Sequence, residues 1–329
     1  MEWFLDAQTT GHKLALMVFA VLLFAVVMGV ILLAVDRPKR VPTWLVVAGF
    51  LGPALALLLV GLVYPALSTI RGSFYNGDGS AFVGLANYAT VFTQDNFQIV
   101  LRNTVLWVVL VPLVTTLLGL VYAYLVDRTR FENLAKALVF LPLAISMVGA
   151  GIIWRFVYEY RPDQPGVNQI GLLNQLLVLV GAEPRQFLLN APVNTFFLLA
   201  VMIWIQTGFA MTVLSASIKA IPDDIIEAAR LDGVSGFAMF RHVTVPSIRP
   251  ALVVVVTTLA ITTLKVFDVV RVMTGGQFET SVVANEFYTQ SFVQFNFGLG
   301  AALAVLLFII VIPIIAYNVR QLRLAEEVR

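Results

Sequence analysis

Apolar residues run along this chain in blocks of about 20, the length that carries an α-helix across the hydrocarbon core of a bilayer. The blocks fall at approximately Leu14–Val35, Trp44–Leu67, Val105–Val126, Ala137–Val157, Thr195–Ser217, Ala251–Val270 and Leu299–Val319. They predict an all-α polytopic membrane protein, a helical bundle of about seven transmembrane helices. The first block is expected to be retained as a helix, because it is long for a signal-peptide core and no small-residue cleavage pattern follows it.

The polar stretches between the blocks set the orientation. Asp36 to Arg40, Asp127 to Lys136, the loop bearing Lys219, Arg230, Arg241 and Arg249, and the tail bearing Arg320, Arg323 and Arg329 share one side and hold most of the Lys and Arg. The excess of basic residues in short loops makes that side cytoplasmic, with the N-terminus out and the C-terminus in. On the opposite side, Arg71 to Gln98 carries Gly, Asn, Ser and Asp at turn positions. Gly166 to Gly181 alternates an apolar stripe with Asn and Gln, and reads as an interfacial helix covering the bundle.

Composition narrows the classes. With 60% hydrophobic and 12% charged residues, the 329-residue chain is too apolar for a soluble domain of its size. A net charge of +2, scattered over short loops, makes no basic patch and predicts no nucleic-acid partner. The absence of cysteine excludes disulfides and thiolate chemistry, and the two histidines, His12 and His242, have no metal-ligand spacing.

The loop before the last two blocks is built to form structure. Ile221-Pro222-Asp223-Asp224 is a helix start, with Pro where a missing N–H costs nothing and carboxylates at the positive end of the dipole. Helix formers continue to Leu231 and Gly233 ends the helix. A second short helix is expected over Gly236 to His242, before Pro246 and Pro250 turn the chain back toward the membrane. Such an elbow is a rigid lever: Ala228 and Ala229 permit close approach, and Glu227 supplies a charge.

The order Glu227-Ala228-Ala229-Arg230-Leu231-Asp232-Gly233, then Phe240 and Val243-Thr244-Val245-Pro246, resembles the cytoplasmic "EAA" loop of ABC-importer permeases. It departs from the usual pattern only in Val243 and Val245, where Ile and Leu are common. Phe82 to Tyr88, Asn103-Thr104, Leu141-Pro142, Leu172-Leu173-Asn174 and Thr274-Gly275-Gly276 are similar to landmarks of maltose-type sugar permeases, of the "F" and α-glucoside type, in the same order. The resemblance covers Trp44 to the C-terminus.

It implies a six-helix permease domain over residues 44–329, with the coupling loop at 218–250, and an accessory helix and basic loop over 1–43. It implies a second homologous permease, two ATP-binding subunits and an extracytoplasmic solute-binding protein as partners, in a bacterial or archaeal cytoplasmic membrane whose lipid surrounds the chain. The solute would be a sugar, an oligosaccharide or α-glucoside. Glu227, Ala228, Ala229, Asp232, Gly233 and Pro246 would couple to the ATPase. The chain has no Gly-x-x-x-x-Gly-Lys-Ser/Thr loop, so no enzyme activity, metal or bound cofactor is expected of it, and ATP and Mg would reside on partner subunits.

Polar or aromatic residues inside the spans are the candidate solute contacts. By resemblance these are Trp204, Gln206 and Phe209 in the fifth block and Thr258, Thr262 and Lys265 in the sixth. Gln206 and Phe209 at i, i+3 would pair an amide with an apolar face, as a sugar requires; helix packing accounts for them equally well. Lys265 and Asp268, one helical turn apart, can pair on one face. Leu143 and Met147 stand where maltose relatives carry polar or aromatic contacts. Two other classes fit less well: a secondary transporter needs internal repeats and discontinuous helices, of which the sequence gives no sign, and a membrane enzyme needs a cluster that the scattered Glu159, Asp163 and Glu183 do not make. Among importers, glycerol phosphate or another non-sugar is the alternative solute, and Lys265 would suit an anion.

Overall fold

A computed structural model of the protein describes residues 10–36, 42–127, 129–162, 166 and 169–327. Arg37, Lys39, Arg40, Arg128, Asp163 and Arg329 lie outside the described residues. Among the described residues the regular structure is helical, and the only β pairing is an isolated bridge between Tyr75 and Phe82. Among the described residues five helices are long and apolar enough to cross a membrane, or seven if each of two bent pairs counts as one span.

The chain divides into two compact units, residues 1–68 and 69–329. The first holds α1 (Thr10–Asp36) and α2 (Thr43–Leu58), and a π-helical turn at Leu59–Val63 leads into α3 (Tyr64–Gly72). The second contains α4 (Ala86–Thr93), α5 (Asp95–Val126), α6 (Glu132–Phe140), α7 (Met147–Val157), α8 (Leu172–Leu179), α9 (Asn194–Lys219), α10 (Asp223–Leu231), α11 (Gly236–Met239), α12 (Val245–Ser247), α13 (Arg249–Leu264), α14 (Asp268–Met273), α15 (Val283–Tyr288) and α16 (Phe297–Glu327). Helix α5 lies against α9 and α13, α13 against α16, and α14 against α7.

Lipid tails are as apolar as leucine, so close packing more than removal from water holds such helices together. Two glycines make the central contacts possible. A Cβ on Gly119 of α5 would lie 2.6 Å from the Ala210 Cβ of α9, and one on Gly208 of α9 would lie 2.6 Å from the Val139 carbonyl oxygen of α6. Around these crossings one buried cluster joins Trp107, Met202, Ile205, Val269 and Val270, and another joins Leu120, Met211, Leu214, Ile248, Val255 and Leu259.

Two expected spans are not continuous helices. Over Ala137–Val157 the chain bends by 102° between Glu132–Ala144 and α7. Ile145 and Ser146 are extended there, and the Ser146 hydroxyl restarts the helix by accepting from the Gly149 amide at 3.0 Å. Over Ala251–Val270 the helix ends at Leu264 and resumes at Asp268, with Phe267 at φ −131°, ψ −52°. Discontinuous helices are therefore present, contrary to the sequence expectation. The helix expected over Gly236 to His242 is likewise shorter: α11 stops at Met239 and a π-helical turn covers Phe240–Thr244. In the segment read as an interfacial helix, α8 forms over eight residues, with Leu172, Leu176 and Leu179 exposed.

Several of the landmark side chains pin irregular backbone. Asn87 donates to the Ser73 and Tyr75 carbonyls at 2.9 and 2.7 Å. Buried Asn174 donates to the Glu159 carbonyl at 2.7 Å and accepts from the Arg185 amide at 2.8 Å. Asn103 donates to the Glu279 and Ser281 carbonyls at 2.6 and 3.1 Å, and Thr104 accepts from the Val283 amide at 2.9 Å. In the loop after α3, Ser80 donates to Asp78 through its hydroxyl and its amide, which holds the Asp78 carboxyl below its usual range.

Candidate coupling loop and solute path

The loop between α9 and α13 has the elbow its sequence predicts. Pro222 occupies the N-cap of α10, with Asp223 and Asp224 in the first turn. At the other end Gly233 takes φ +81°, the Val234 amide donates to the Ala229 carbonyl at 2.9 Å, and the Gly233 amide donates to the Arg230 carbonyl at 3.0 Å. This reciprocal pair is a Schellman ending, which needs a left-handed residue at the Gly233 position.

No residue of α10 is buried. Glu227 and Ala228 are exposed, Ala229 is half-buried, and Asp232, Gly233 and Pro246 are exposed. Glu227 to Gly233 are contiguous along the end of α10 and its turn, whereas Pro246 stands apart on α12. Sequence reading passed over Leu231 and Phe237, which are 90% and 72% exposed. The available signal for Leu231 was a large apolar side chain directly before the polar Asp232 and the helix-ending Gly233. The second half of the loop is anchored. Phe240 meets the Tyr124 ring of α5 at 4.7 Å, and Ile221, Phe240, Val245 and Ile248 join the buried cluster that also takes in Phe209.

The span residues divide into two groups. On α9, Trp204 packs edge-on to Trp154 at 5.5 Å and lines an apolar cavity of about 460 Å³ with Leu118, Leu138 and Ile203, a poor match for sugar hydroxyls. Gln206 is 7% exposed, and its side-chain amide has no hydrogen-bond partner among the described residues. Phe209 packs in the cluster holding Val255 and Leu259 of α13.

On α13, Thr258 is exposed and half-buried Thr262 donates to its carbonyl at 2.9 Å. Lys265 is exposed at the C-cap. No hydrogen bond or ion pair joins the two groups among the described residues. The expected pairing of Lys265 with Asp268 on one helix face does not form, because the helix breaks between them and no ion pair connects them. Leu143 and Met147 pack against the first cluster. The described residues contain no group of three or more metal-ligating side chains close enough to hold an ion.

Sequence reading used the Asp127 to Lys136 loop and Lys219 only to set orientation and passed over Glu132. Asp127, Glu132, Lys136 and Lys219 form a network at one end of α5, α6 and α9: Lys136 Nζ meets Asp127 and Ser215, lies 2.8 Å from Glu132, and Lys219 Nζ also reaches Glu132.

Residues 115–323 match the family described as "Binding-protein-dependent transport system inner membrane component". The chain is similar to the osmoprotective compounds uptake permease protein GgtC of Synechocystis sp., 46% identical over 280 residues that cover 85% of this chain and 100% of that one. It is 44% identical to the alpha-glucoside transport system permease protein AglF of Rhizobium meliloti, covering 83% of this chain and 81% of that one. It is 30% identical to the trehalose/maltose transport system permease protein MalF of Thermococcus litoralis, covering 79% of this chain and 88% of that one. A chain of the bacterial alginate ABC transporter, crystallised with an alginate pentasaccharide-bound periplasmic protein, has the same fold, with a TM-score of 0.72 at 20% identity, covering 84% of this chain and 92% of that one. The match over residues 115–323 and the 46% identity to a permease aligned over its whole length place this multi-pass membrane protein in the binding-protein-dependent transport system inner membrane component family of transport permeases.

Proposed function

We propose that this chain is a permease subunit of an ATP-binding-cassette importer that moves a sugar, an oligosaccharide or α-glucoside, into the cell by alternating access. Its partners in this reading are two ATP-binding subunits, a second homologous permease and an extracytoplasmic solute-binding protein, in a bacterial or archaeal cytoplasmic membrane. Residues 44–329 form the transport domain and residues 1–43 an accessory helix with its basic loop. ATP and Mg are held by the partner subunits, and this chain contributes no catalytic residue.

One observation carries the reading. Helix α10 has no buried residue and presents Glu227 and Leu231 to its surroundings, while the continuation of its loop is anchored through Phe240 and Ile248 in the cluster that contains Phe209. A displacement of α10 by a partner is thereby passed to α5, α9 and α13 together. Gln206 stands three residues before Phe209 on α9, its amide without a hydrogen-bond partner among the described residues, and movement of that cluster changes its surroundings. Burying Leu231 against a partner contributes about 1.5–3 kcal/mol to docking.

Uptake of labelled trehalose, maltose and lactose by cells lacking only this chain tests the proposal. Restoring the wild-type chain restores uptake of at least one sugar. Gln206→Ala lowers that uptake, with assembly intact, as expected for loss of a hydrogen bond of about 0.5–1.5 kcal/mol. Failure of the wild-type chain to restore any sugar uptake contradicts the sugar assignment.

A further inference from the structure

A second cavity, of about 470 Å³, opens between the C-terminal ends of α7 and α14. It lies on the side assigned to the exterior by the distribution of Lys and Arg, away from α10. Its wall combines Arg155, Glu159, Gln186 and Arg271 with the ring of Phe278, over a floor of Tyr158 and Met273. Among the described residues neither arginine nor Glu159 is in an ion pair; the Arg271 guanidinium stacks over the Tyr288 ring at 4.9 Å, and Arg155 and Glu159 remain available to a ligand. The volume falls within the range of about 300–1,000 Å³ usual for small-molecule sites.

Phe278 is held in place at unusual conformational cost. It has φ +56° and Glu279 has φ +59°, two successive non-glycine residues in the left-handed region. Both are fixed by buried amides: Asn194 donates to the Phe278 carbonyl at 2.8 Å and Asn103 to the Glu279 carbonyl at 2.6 Å. Backbone strain over-determined by its surroundings concentrates at functional positions. Phe278 is 48% exposed and lines the cavity. An apolar face for the C–H side of a sugar ring, flanked by guanidinium, amide and carboxylate groups for its hydroxyls, matches a glycosyl unit better than a purely ionic ligand. Beneath the cavity the rings of Tyr158, Trp154 and Trp204 adjoin in series at 5.2 and 5.5 Å, linking its floor to α9.

We propose that this outer cavity is a second glycosyl-binding site, with Phe278 as the stacking face and Arg155, Glu159 and Gln186 as hydrogen-bonding partners, which holds solute at the exterior mouth before it reaches Gln206. The proposal rests on the sugar-import reading. Its test is equilibrium binding of labelled trehalose, maltose and lactose to the assembled transporter in lipid nanodiscs without the solute-binding protein.

For the sugar that wild type binds, two sites per copy of this chain are expected. Phe278→Ala and Gln186→Ala each remove one site and leave the other, Phe278→Tyr retains both, and Gln206→Ala removes the site that the Phe278 variant keeps. Wild-type binding unaltered by both Phe278→Ala and Gln186→Ala overturns the outer site and leaves the sugar reading standing. No binding or uptake of any of the three sugars by wild type overturns the sugar reading and this proposal with it. If Phe278→Ala does not assemble, Gln186→Ala decides by the same criterion.

Discussion

Ser215 donates a 2.7 Å hydrogen bond to the Asp127 carboxylate, joining the last turns of α9 to the end of α5 across 88 residues of sequence. Lys136 reaches the same carboxylate oxygen, and Glu132 bridges Lys136 and Lys219. Lys219 is the last residue of α9, four positions before α10 begins. The network therefore secures the end of α9 that leads into α10, and the Asp127 side chain, 8% exposed, is the least accessible of its four charged members.

Removing that carboxylate charge leaves the Lys136 ammonium half-compensated. Asp127→Asn is expected to destabilise the chain by about 1.5–3 kcal/mol, the range for hydrogen bonds to charged groups. Thermal unfolding of the purified complex measures it. A double-mutant cycle with Lys136→Gln should show strong coupling between the two sites, and additive losses would mean that the pair does not act as a unit.

Gly208 lies where α9 crosses α6, with no room for a side chain beside the Val139 carbonyl. Gly208→Val is expected to cost about 1–3 kcal/mol through overpacking and to reduce the yield of folded chain. Gly61, with nothing within 4 Å of its Cβ position, is the control, and Gly61→Ala should leave the yield unchanged. Equal yields from Gly208→Val and the control would contradict the close crossing.

Lys265 separates structure from solute recognition. Exposed and unpaired with Asp268, it should be replaceable by Gln within about 0.5 kcal/mol of wild-type stability. Solute uptake should fall if its ammonium meets the ligand. Calorimetry and transport assays on Lys265→Gln give the two readouts, and a loss of stability with unchanged uptake would make it a structural residue.

The straight spans were legible because α5, α9 and α16 each extend an apolar run past bilayer length. The breaks were not, since hydropathy registers neither the Ser146 cap nor the interruption after Leu264. Those breaks decide which residues share a face, and so the pairing expected of Lys265 and Asp268 failed. Helix α10 was readable because Pro222, the Asp pair and Gly233 are local signals for its two ends. Asn103, Asn174 and Thr104 were recognisable as landmarks, but the backbone groups they hold lie 11 to 179 residues away along the chain, a relation no local pattern encodes. Phe278 was hidden for the same reason: a left-handed phenylalanine depends on Asn194, 84 positions earlier.

The central claim is that α10 receives the force generated by a partner ATPase. Solute-stimulated ATP hydrolysis by the assembled, reconstituted transporter tests it most directly, comparing wild type with Glu227→Lys, Leu231→Asp and Gly233→Val. The first two alter the exposed docking surface, and the third places a β-branched residue at φ +81° where the Schellman ending requires left-handed backbone. All three variants are expected to insert into the membrane and to lose solute-stimulated hydrolysis. Wild-type stimulation in all three would contradict the assignment of α10 as the coupling element.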